Sequence, residues 1–168
     1  MSTTIVLITG ASRGIGKGLL GQYLARPNYT VIAANRNPND ANSQALTRLP
    51  KGDGTTLVVI KLDSTVKSDA VEAVKQLKAK GIDHVDVVIA NAAISYIYGK
   101  VAELDTEDMH KHAIVNNYAV VWLFQALILL LKKAVQPKFI GIGSSAGVLT
   151  VCSPLYHQNQ ELVLLLTF

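Results

Sequence analysis

The sequence contains few residues of several types, and each low content argues against one class of protein. Cys152 is the only cysteine among 168 residues, so no disulfide can form within the chain, which is compatible with an intracellular compartment. Charged residues make up 17% and hydrophobic residues 49% of the chain, a composition that excludes a disordered protein. Lysine and arginine are scattered, with no run beyond Lys132-Lys133, so a nucleic-acid-binding surface is not indicated.

Long apolar runs are also scarce. The longest, residues 119–131, contains Gln125 and is too short to span a bilayer. The sequence starts with a strand-like apolar stretch, so no secretory signal is expected. We therefore expect a cytoplasmic protein with one main domain and with no membrane, nucleic-acid or metal partner.

A strand, a glycine-rich turn and a helix are predicted at the start of the chain. Residues 4–8 are apolar and β-branched, TGASRGIG follows at residues 9–16, and apolar residues then recur at helical spacing. Gly10 suits a tight turn, Gly14 the close approach of a phosphate, and Gly16 the close packing of helix on sheet. The first N–H groups of the helix would then face an anion. This context predicts a dinucleotide site; the alternative is a turn without a ligand.

Neutral and basic residues follow the second predicted strand, residues 30–34. Enzymes that prefer NAD usually carry an acidic residue near this strand end, where it bonds the ribose hydroxyls. Arg36 stands there instead, and together with Arg13 of the glycine loop it is suited to a 2′-phosphate. The alternative is two solvated arginines.

The G-x-x-x-G-x-G spacing resembles the cofactor loop of the short-chain dehydrogenases/reductases. The resemblance covers residues 4 to about 150, and the loop together with residues 33–36 looks most like the fungal reductases similar to norsolorinic acid ketoreductase. It implies a doubly wound α/β Rossmann fold, with a mostly parallel sheet of order 3-2-1-4-5. It also implies hydride transfer between NAD(P)(H) and a carbonyl or alcohol, with NADP(H) preferred over NAD(H).

The same resemblance implies which residues bind the cofactor. They are Gly10, Ser12, Arg13, Gly14, Ile15, Gly16, Arg36, Asp63, Asn91 and Ala92. Asp63 is expected to bond the adenine amino group. A competing interpretation makes Asp63, Ser64 or Thr65 the N-cap of a helix predicted over residues 66–80. Residues 90–93 depart from the family's N-N-A-G segment, with alanine in place of the first asparagine and of the glycine.

Three residues take catalytic roles by resemblance. Asn116 lies within a long helix predicted over residues 109–133, and it is expected to distort that helix and hold a water; the alternative is an asparagine satisfied by backbone or water. Ser144 would hold the substrate oxygen, although a different alignment selects Ser145. Tyr156 would act as general acid or base.

The family pattern breaks after Tyr156. The family carries a lysine four residues on, whose charge lowers the pKa of the tyrosine, but Gln160 stands here and no lysine follows Lys138. We expect residues 1–150 to form the Rossmann domain and residues 151–168 an atypical, truncated tail. Without the family's last strands, the fifth strand or its neighbour is expected to be an exposed edge. The leucine-rich end has no obvious partner inside the domain, and three alternatives stay open: it packs on that edge, mediates self-association or frays.

Two functions stay open at this point. The first is an NADP(H)-dependent oxidoreductase that reduces a ketone or other carbonyl, or oxidises the alcohol, and whose partner is a small-molecule substrate. The second is a truncated, catalytically impaired dinucleotide-binding module. In either case the long helix over residues 109–133 is expected to offer a face for a homo-oligomer.

Overall fold

The computed structural model describes residues 3–95, 102 and 104–144, and the backbone of residues 163–166. The strands are β1 (Thr4–Thr9), β2 (Tyr29–Asn35), β3 (Thr56–Lys61), β4 (Val87–Ala90), β5 (Lys138–Ile142) and β6 (Val163–Leu166). The helices are α1 (Gly14–Leu24), α2 (Ala41–Ala45), α3 (Lys67–Ala79), α4 (Thr106–His112) and α5 (Ala119–Leu131). A 3₁₀ turn, Leu46–Arg48, follows α2, and a π-helical turn, Ala113–Tyr118, joins α4 to α5.

The described strands form one sheet in the order β3-β2-β1-β4-β5-β6. The first five strands are parallel, which confirms the predicted doubly wound sheet of order 3-2-1-4-5. The direction of winding reverses beside β1, because β1 pairs with β2 on one side and with β4 on the other. In such folds ligands bind at this reversal, outside the carboxyl ends of the strands.

Alternate side chains of β1 enter two different cores. Leu7 is fully buried on the face covered by α3 and α5, whereas Val6 and Ile8 are fully buried on the face covered by α1. This alternation follows from the two-residue period of a strand, and burial on both faces explains the continuous apolar run at residues 5–8. The two cores hold β1 rigidly, and the glycine loop leaves directly from its end.

The prediction placed the exposed edge of the sheet at the fifth strand or at its neighbour, and among the described strands the edge is the neighbour, β6. β6 pairs with β5 in antiparallel register, with Val163 opposite Ile142 and Leu166 opposite Phe139. The backbone groups on the outer side of β5 are therefore hydrogen-bonded, and β6 itself becomes the edge of the sheet. The leucine-rich end takes this position, which confirms the alternative that it packs on the sheet edge.

Two predicted boundaries also move. The apolar run of the sequence predicts a fourth strand over residues 84–90, but β4 begins at Val87, because the Asp86 carboxylate accepts the Ile5 N–H (2.7 Å) just before the regular strand. The long helix was expected from residue 109, but α4 begins at Thr106, because the Asp105 carboxylate caps it by accepting the Glu107 N–H (2.9 Å).

The continuous helical stretch Thr106–Leu131 has the length and composition to cross a membrane, with a mean hydropathy of 1.9 in its most apolar window. In the fold, however, one side of α5 is part of the core. Leu123, Leu127, Leu130 and Leu131 are buried there, against α3 and the sheet. Because 28% of that window is buried, the core contacts of these leucines cover only part of the apolar surface of the helix.

Candidate cofactor and active site

The glycine loop between β1 and α1 uses each of its three glycines differently. Gly10 (φ 64°) and Gly14 (φ 55°) have left-handed backbones. A Cβ on Gly10 would lie 2.9 Å from the Ala92 Cα, and one on Gly16 would lie 2.5 Å from the Asn91 Nδ2. Nothing lies within 4 Å of the Cβ position of Gly14. Gly10 and Gly16 therefore permit close packing of the chain, whereas Gly14 borders open space.

The first turn of α1 is prepared for an anion. Arg13 occupies the N-cap position without a side-chain hydrogen bond to the helix, and this part of the described chain has no acidic residue in that turn. Gly14 and Ile15 are exposed. The N–H groups of a first turn have no partner within their helix, so here they are available to a phosphate. The residues present therefore fit the pyrophosphate of a dinucleotide.

Thr9 joins the glycine loop to the end of β4. Its buried hydroxyl oxygen accepts two N–H groups, from Asn91 and from Ala92, each at 3.0 Å. The Asn91 side chain returns the contact, because its Nδ2 donates to the carbonyl oxygens of Thr9 (2.9 Å) and Gly10 (3.3 Å). Asn91 and Ala92, both predicted cofactor-binding residues, are thereby fixed beside the loop.

A second connection joins the glycine loop to the end of β2. The buried Asn35 accepts the Ala11 N–H through Oδ1 (2.9 Å), and its Nδ2 donates to the Ser43 hydroxyl (3.0 Å). The Ser43 N–H in turn donates to the Asp40 carboxylate (2.6 Å), which caps α2. Hydrogen bonds from Ser43, with the charge of Arg36 as a smaller contribution, hold the pKa of Asp40 below its usual value.

The predicted 2′-phosphate residues Arg36 and Arg13 are both exposed. Arg36 follows β2 directly, and Arg13 ends the glycine loop at the start of α1. Both chain segments leave the carboxyl edge of the parallel pair β1–β2. Exposed guanidinium groups at this edge remain able to form forked bonds to a phosphate.

Asp63 lies half-buried just beyond β3. Its Oδ1 accepts the N–H (2.9 Å) and the hydroxyl (2.7 Å) of Thr65. The alternative N-cap role is wrong, because α3 begins at Lys67 with Val66 as its N-cap and no side-chain cap bond. The Asp63 N–H is held by the buried Asp69 carboxylate (2.9 Å).

Asp69 is also paired with Lys61, at 3.0 Å. Burial acts to raise the pKa of Asp69, but the Asp63 N–H and the Lys61 ammonium outweigh it, and the pKa is lowered. The carboxylate therefore stays ionised at neutral pH and fixes the backbone of Asp63, the residue expected near the adenine.

Asn116 lies in the π-helical turn between α4 and α5. Its Oδ1 accepts the Ile94 N–H and its Nδ2 donates to the Ile94 carbonyl oxygen, both at 2.9 Å. The distortion expected of this helix is therefore present, and the asparagine also bonds to backbone, as its alternative interpretation proposed. Turns of this kind occur often at functional sites.

Ser144 is exposed two residues beyond β5, on the same sheet edge as the glycine loop. Ser145, Tyr156 and Gln160 lie outside the described residues. The described part of the chain thus brings the predicted cofactor residues, Asn116 and Ser144 to one edge of the sheet.

The sequence that forms this sheet, glycine loop and π-turn also matches the model of a known family. The model for the short chain dehydrogenases matches residues 4–156. The chain belongs to the short-chain dehydrogenase family.

Relatives in this family include two fungal ketoreductases. The chain is 46% identical over 150 residues to the norsolorinic acid ketoreductase of Dothistroma septosporum, and 45% identical over 148 residues to that of Emericella nidulans. Each match covers 88% of this chain but 56% of the relative, so this chain spans little more than half their length. The crystal structure of an NADPH-bound carbonyl reductase from chicken fatty liver is similar, with a TM-score of 0.75 and 29% identity, over 94% of this chain and 64% of that one.

A cleft among the described residues of this family member lies elsewhere. It has a volume of about 650 Å³, and its lining includes the first residues of four strands, Thr4, Tyr29, Val87 and Lys138. The cleft therefore opens at the amino edge of the sheet, opposite the glycine loop. We assign the site to the carboxyl edge, because the unpaired amides and the arginines suited to a phosphate lie there.

Sequence reasoning missed Thr9, Asn35, Ser43 and Asp69 as residues that shape the site. Asn35 carried a usable signal, because it follows four buried apolar residues of β2 and a buried amide needs hydrogen-bond partners. Its partners, Ala11 and Ser43, are set by the fold and have no signature in the sequence. The same holds for the pairing of Thr9 with residues 82 and 83 positions away.

Proposed function

We propose that this chain binds NADP(H) at the carboxyl edge of the sheet and acts as an oxidoreductase on a small-molecule carbonyl. The observation that carries the proposal is the open first turn of α1, where Gly14 borders free space and no side chain caps the helix. The relatives that are named ketoreductases and the NADPH-bound carbonyl reductase support it. The reaction proposed is reduction of a ketone, or oxidation of the corresponding alcohol.

Ser144, Tyr156 and Asn116 have different roles in the proposed reaction. When bound, the reduced nicotinamide supplies a hydride. Ser144 holds the carbonyl oxygen through its hydroxyl, and Tyr156 donates a proton to that oxygen as the alcohol forms. Asn116 fixes the backbone of Ile94 and, with the π-turn, helps to hold a water of the proton relay.

The preference for NADP(H) over NAD(H) is proposed from Arg36, supported by Arg13 across the same edge. Replacing Arg36→Ala is expected to weaken NADPH binding about tenfold or more, because a charge-assisted bond to the phosphate is lost, and to leave NADH binding unchanged. Fluorescence titration measures both affinities. Arg48→Ala removes an exposed arginine from the 3₁₀ turn after α2 and is the control. Equal affinity of the native chain for NADPH and NADH would contradict the preference.

A second candidate is a dinucleotide-binding module with impaired catalysis. Two observations favour it: Gln160 stands where the family places a lysine, and this chain spans little more than half of its fungal relatives. Loss of NADPH absorbance with a panel of ketones separates the two candidates. Binding with turnover supports the reductase, and binding without turnover supports the module. If the missing charge alone limits catalysis, Gln160→Lys increases the rate.

We also propose a cytoplasmic homo-oligomer without a membrane or nucleic-acid partner, formed through the long helix. The outer face of this helix exposes Tyr118 (53%), Val121 (51%) and Leu129 (71%), a set of apolar side chains typical of an interface. Val121→Asp is expected to produce a monomer in light scattering. If the native chain is already a monomer, the interface is wrong. Recovery in a membrane fraction would contradict the soluble location.

A further inference from the structure

The hydrogen bonds at the end of β2 form one continuous connection between two loops. The glycine loop is at one end, through the Ala11 N–H on Asn35. The Asn35 Nδ2 donates to the Ser43 hydroxyl, and the Ser43 N–H donates to the Asp40 carboxylate. Asn35 is 2% exposed and Ser43 is fully buried, so water does not compete for these bonds.

The orientation of the Asn35 amide is fixed, because both its oxygen and its nitrogen form hydrogen bonds. Its oxygen accepts from Ala11 while its nitrogen donates to Ser43. If the Asn35 amide were flipped, its oxygen would face the Ser43 hydroxyl and its NH₂ group would face the Ala11 N–H. Two donors would then meet at Ala11, so that hydrogen bond would be lost. The position of the Ala11 amide therefore depends on Ser43.

At the other end of this connection lies the negative charge of the Asp40 carboxylate. Ser43 holds the Asp40 carboxylate at the start of α2 (2.6 Å to the Ser43 N–H), within electrostatic reach of Arg36. If Ser43 released part of this hold, the carboxylate would be freer to pair with Arg36. A carboxylate paired with Arg36 competes with any phosphate for the same guanidinium.

We propose that Asn35 is a positioning residue that couples the glycine loop to residues 36–43, so that pyrophosphate binding and discrimination at the ribose 2′ position are set together. Ser43 is its partner, and the Ser43 N–H fixes the Asp40 carboxylate four residues after Arg36. The proposal rests on the proposed NADP(H) function and adds residues that touch no part of the cofactor themselves.

The test compares Ser43→Ala with Asn35→Ala in the full chain, with NADPH and NADH affinities measured by calorimetry. Ser43→Ala removes the hydroxyl that orients the Asn35 amide, so residues 36–43 lose their connection to the glycine loop; NADPH affinity is expected to fall about fivefold and NADH affinity to change less than about twofold. Asn35→Ala is expected to weaken both nucleotides and also to lower their ratio. Asn42→Ala removes an exposed amide of α2 and should change neither affinity.

A second readout needs no ligand. Hydrogen exchange at the Ala11 amide in the free protein should become faster in both Ser43→Ala and Asn35→Ala. If Asn35→Ala does not fold, the exchange rate in Ser43→Ala alone tests the proposal. The proposal is overturned if Ser43→Ala leaves the NADPH-to-NADH ratio and Ala11 exchange unchanged, or if it weakens both nucleotides equally. A native chain that binds neither nucleotide overturns the proposed function itself, which distinguishes that failure from this one.

Discussion

The glycine-loop side of the carboxyl edge and the β4–β5 side differ in where their structural support comes from. On the glycine-loop side, Thr9, Asn35 and Asp69 fix the backbone within the first 95 residues. On the other side, Asn116 fixes Ile94, but Ser144 stands at the end of the described segment. For the proposed function, this difference predicts that nucleotide binding and chemistry are separable, because the described bonds on the glycine-loop side lie within residues 3–95.

The largest effect is expected from Gly16→Ala, a substitution on the glycine-loop side. The added Cβ would lie 2.5 Å from the Asn91 Nδ2 and would also meet the Gly10 carbonyl oxygen. We expect unfolding free energy to fall by about 1–3 kcal/mol and nucleotide affinity to fall more than about tenfold. Urea unfolding and NADPH titration measure the two effects.

Gly18→Ala is the matched control for this substitution, because it lies in the same helix with nothing within 4 Å of the Cβ position. It should raise stability by about 0.5–1 kcal/mol through helix propensity. Similar losses in the two variants would show that close packing at Gly16 is not what matters.

The next effect is expected from Thr9→Val, which cuts the connection between the two sides. The amides of Asn91 and Ala92 lose their shared acceptor, at a cost of about 2 kcal/mol in unfolding free energy. Thr9→Ser keeps the hydroxyl oxygen and should retain most of the stability. A valine variant as stable as the serine variant would contradict the role given to this hydroxyl.

A smaller and more selective effect is expected from Asn116→Ala. The Ile94 N–H and carbonyl oxygen lose their partner, so stability should fall by about 1 kcal/mol. NADPH affinity should stay within about twofold while any ketone reduction is lost. Asn117→Ala removes the exposed neighbour and should change none of these. A large loss of NADPH affinity in Asn116→Ala would remove the distinction between the two sides.

The smallest effect concerns pH and Asp69. Because the pKa of Asp69 is lowered in the folded protein, its carboxylate stabilises the fold above the unfolded value of about 3.9, and this contribution disappears as pH falls through the lowered pKa. We expect Asp69→Asn to lose about 1 kcal/mol at pH 7 and to show a weaker loss of stability between pH 7 and pH 3. Urea unfolding across this range measures it, with Asp53→Asn as the exposed control. Parallel pH profiles for the native chain and Asp69→Asn would exclude this role.

Much of the fold could be predicted because local patterns specify it. The apolar run of β1, the glycine loop and the apolar residues of α1 place the first unit within two residues of its observed ends. The parallel order follows from the family resemblance. Packing of the leucine-rich end on the sheet edge was one of three alternatives, and β6 confirms it; the sequence could not select it, because pairing between distant residues is set by the whole sheet.

The candidate site divides in the same way. The roles of Gly10, Gly14 and Gly16 were predictable, because a positive φ or a close backbone contact at each position requires glycine. The roles of Asn35 and Asp69 were not, because each is defined by partners on other elements. Among the departures from the family pattern, Ala93 replaces a glycine and is exposed.

The most direct test of the central claim is a backbone NMR titration of the full chain with NADPH. The account predicts the largest amide shifts at Gly14, Ile15 and Gly16, with smaller shifts at Arg36, and none at Val87 or Lys138 of the cleft at the amino edge. Shifts confined to that cleft, or no shifts at saturating NADPH, would contradict the assignment of the nucleotide to the first turn of α1.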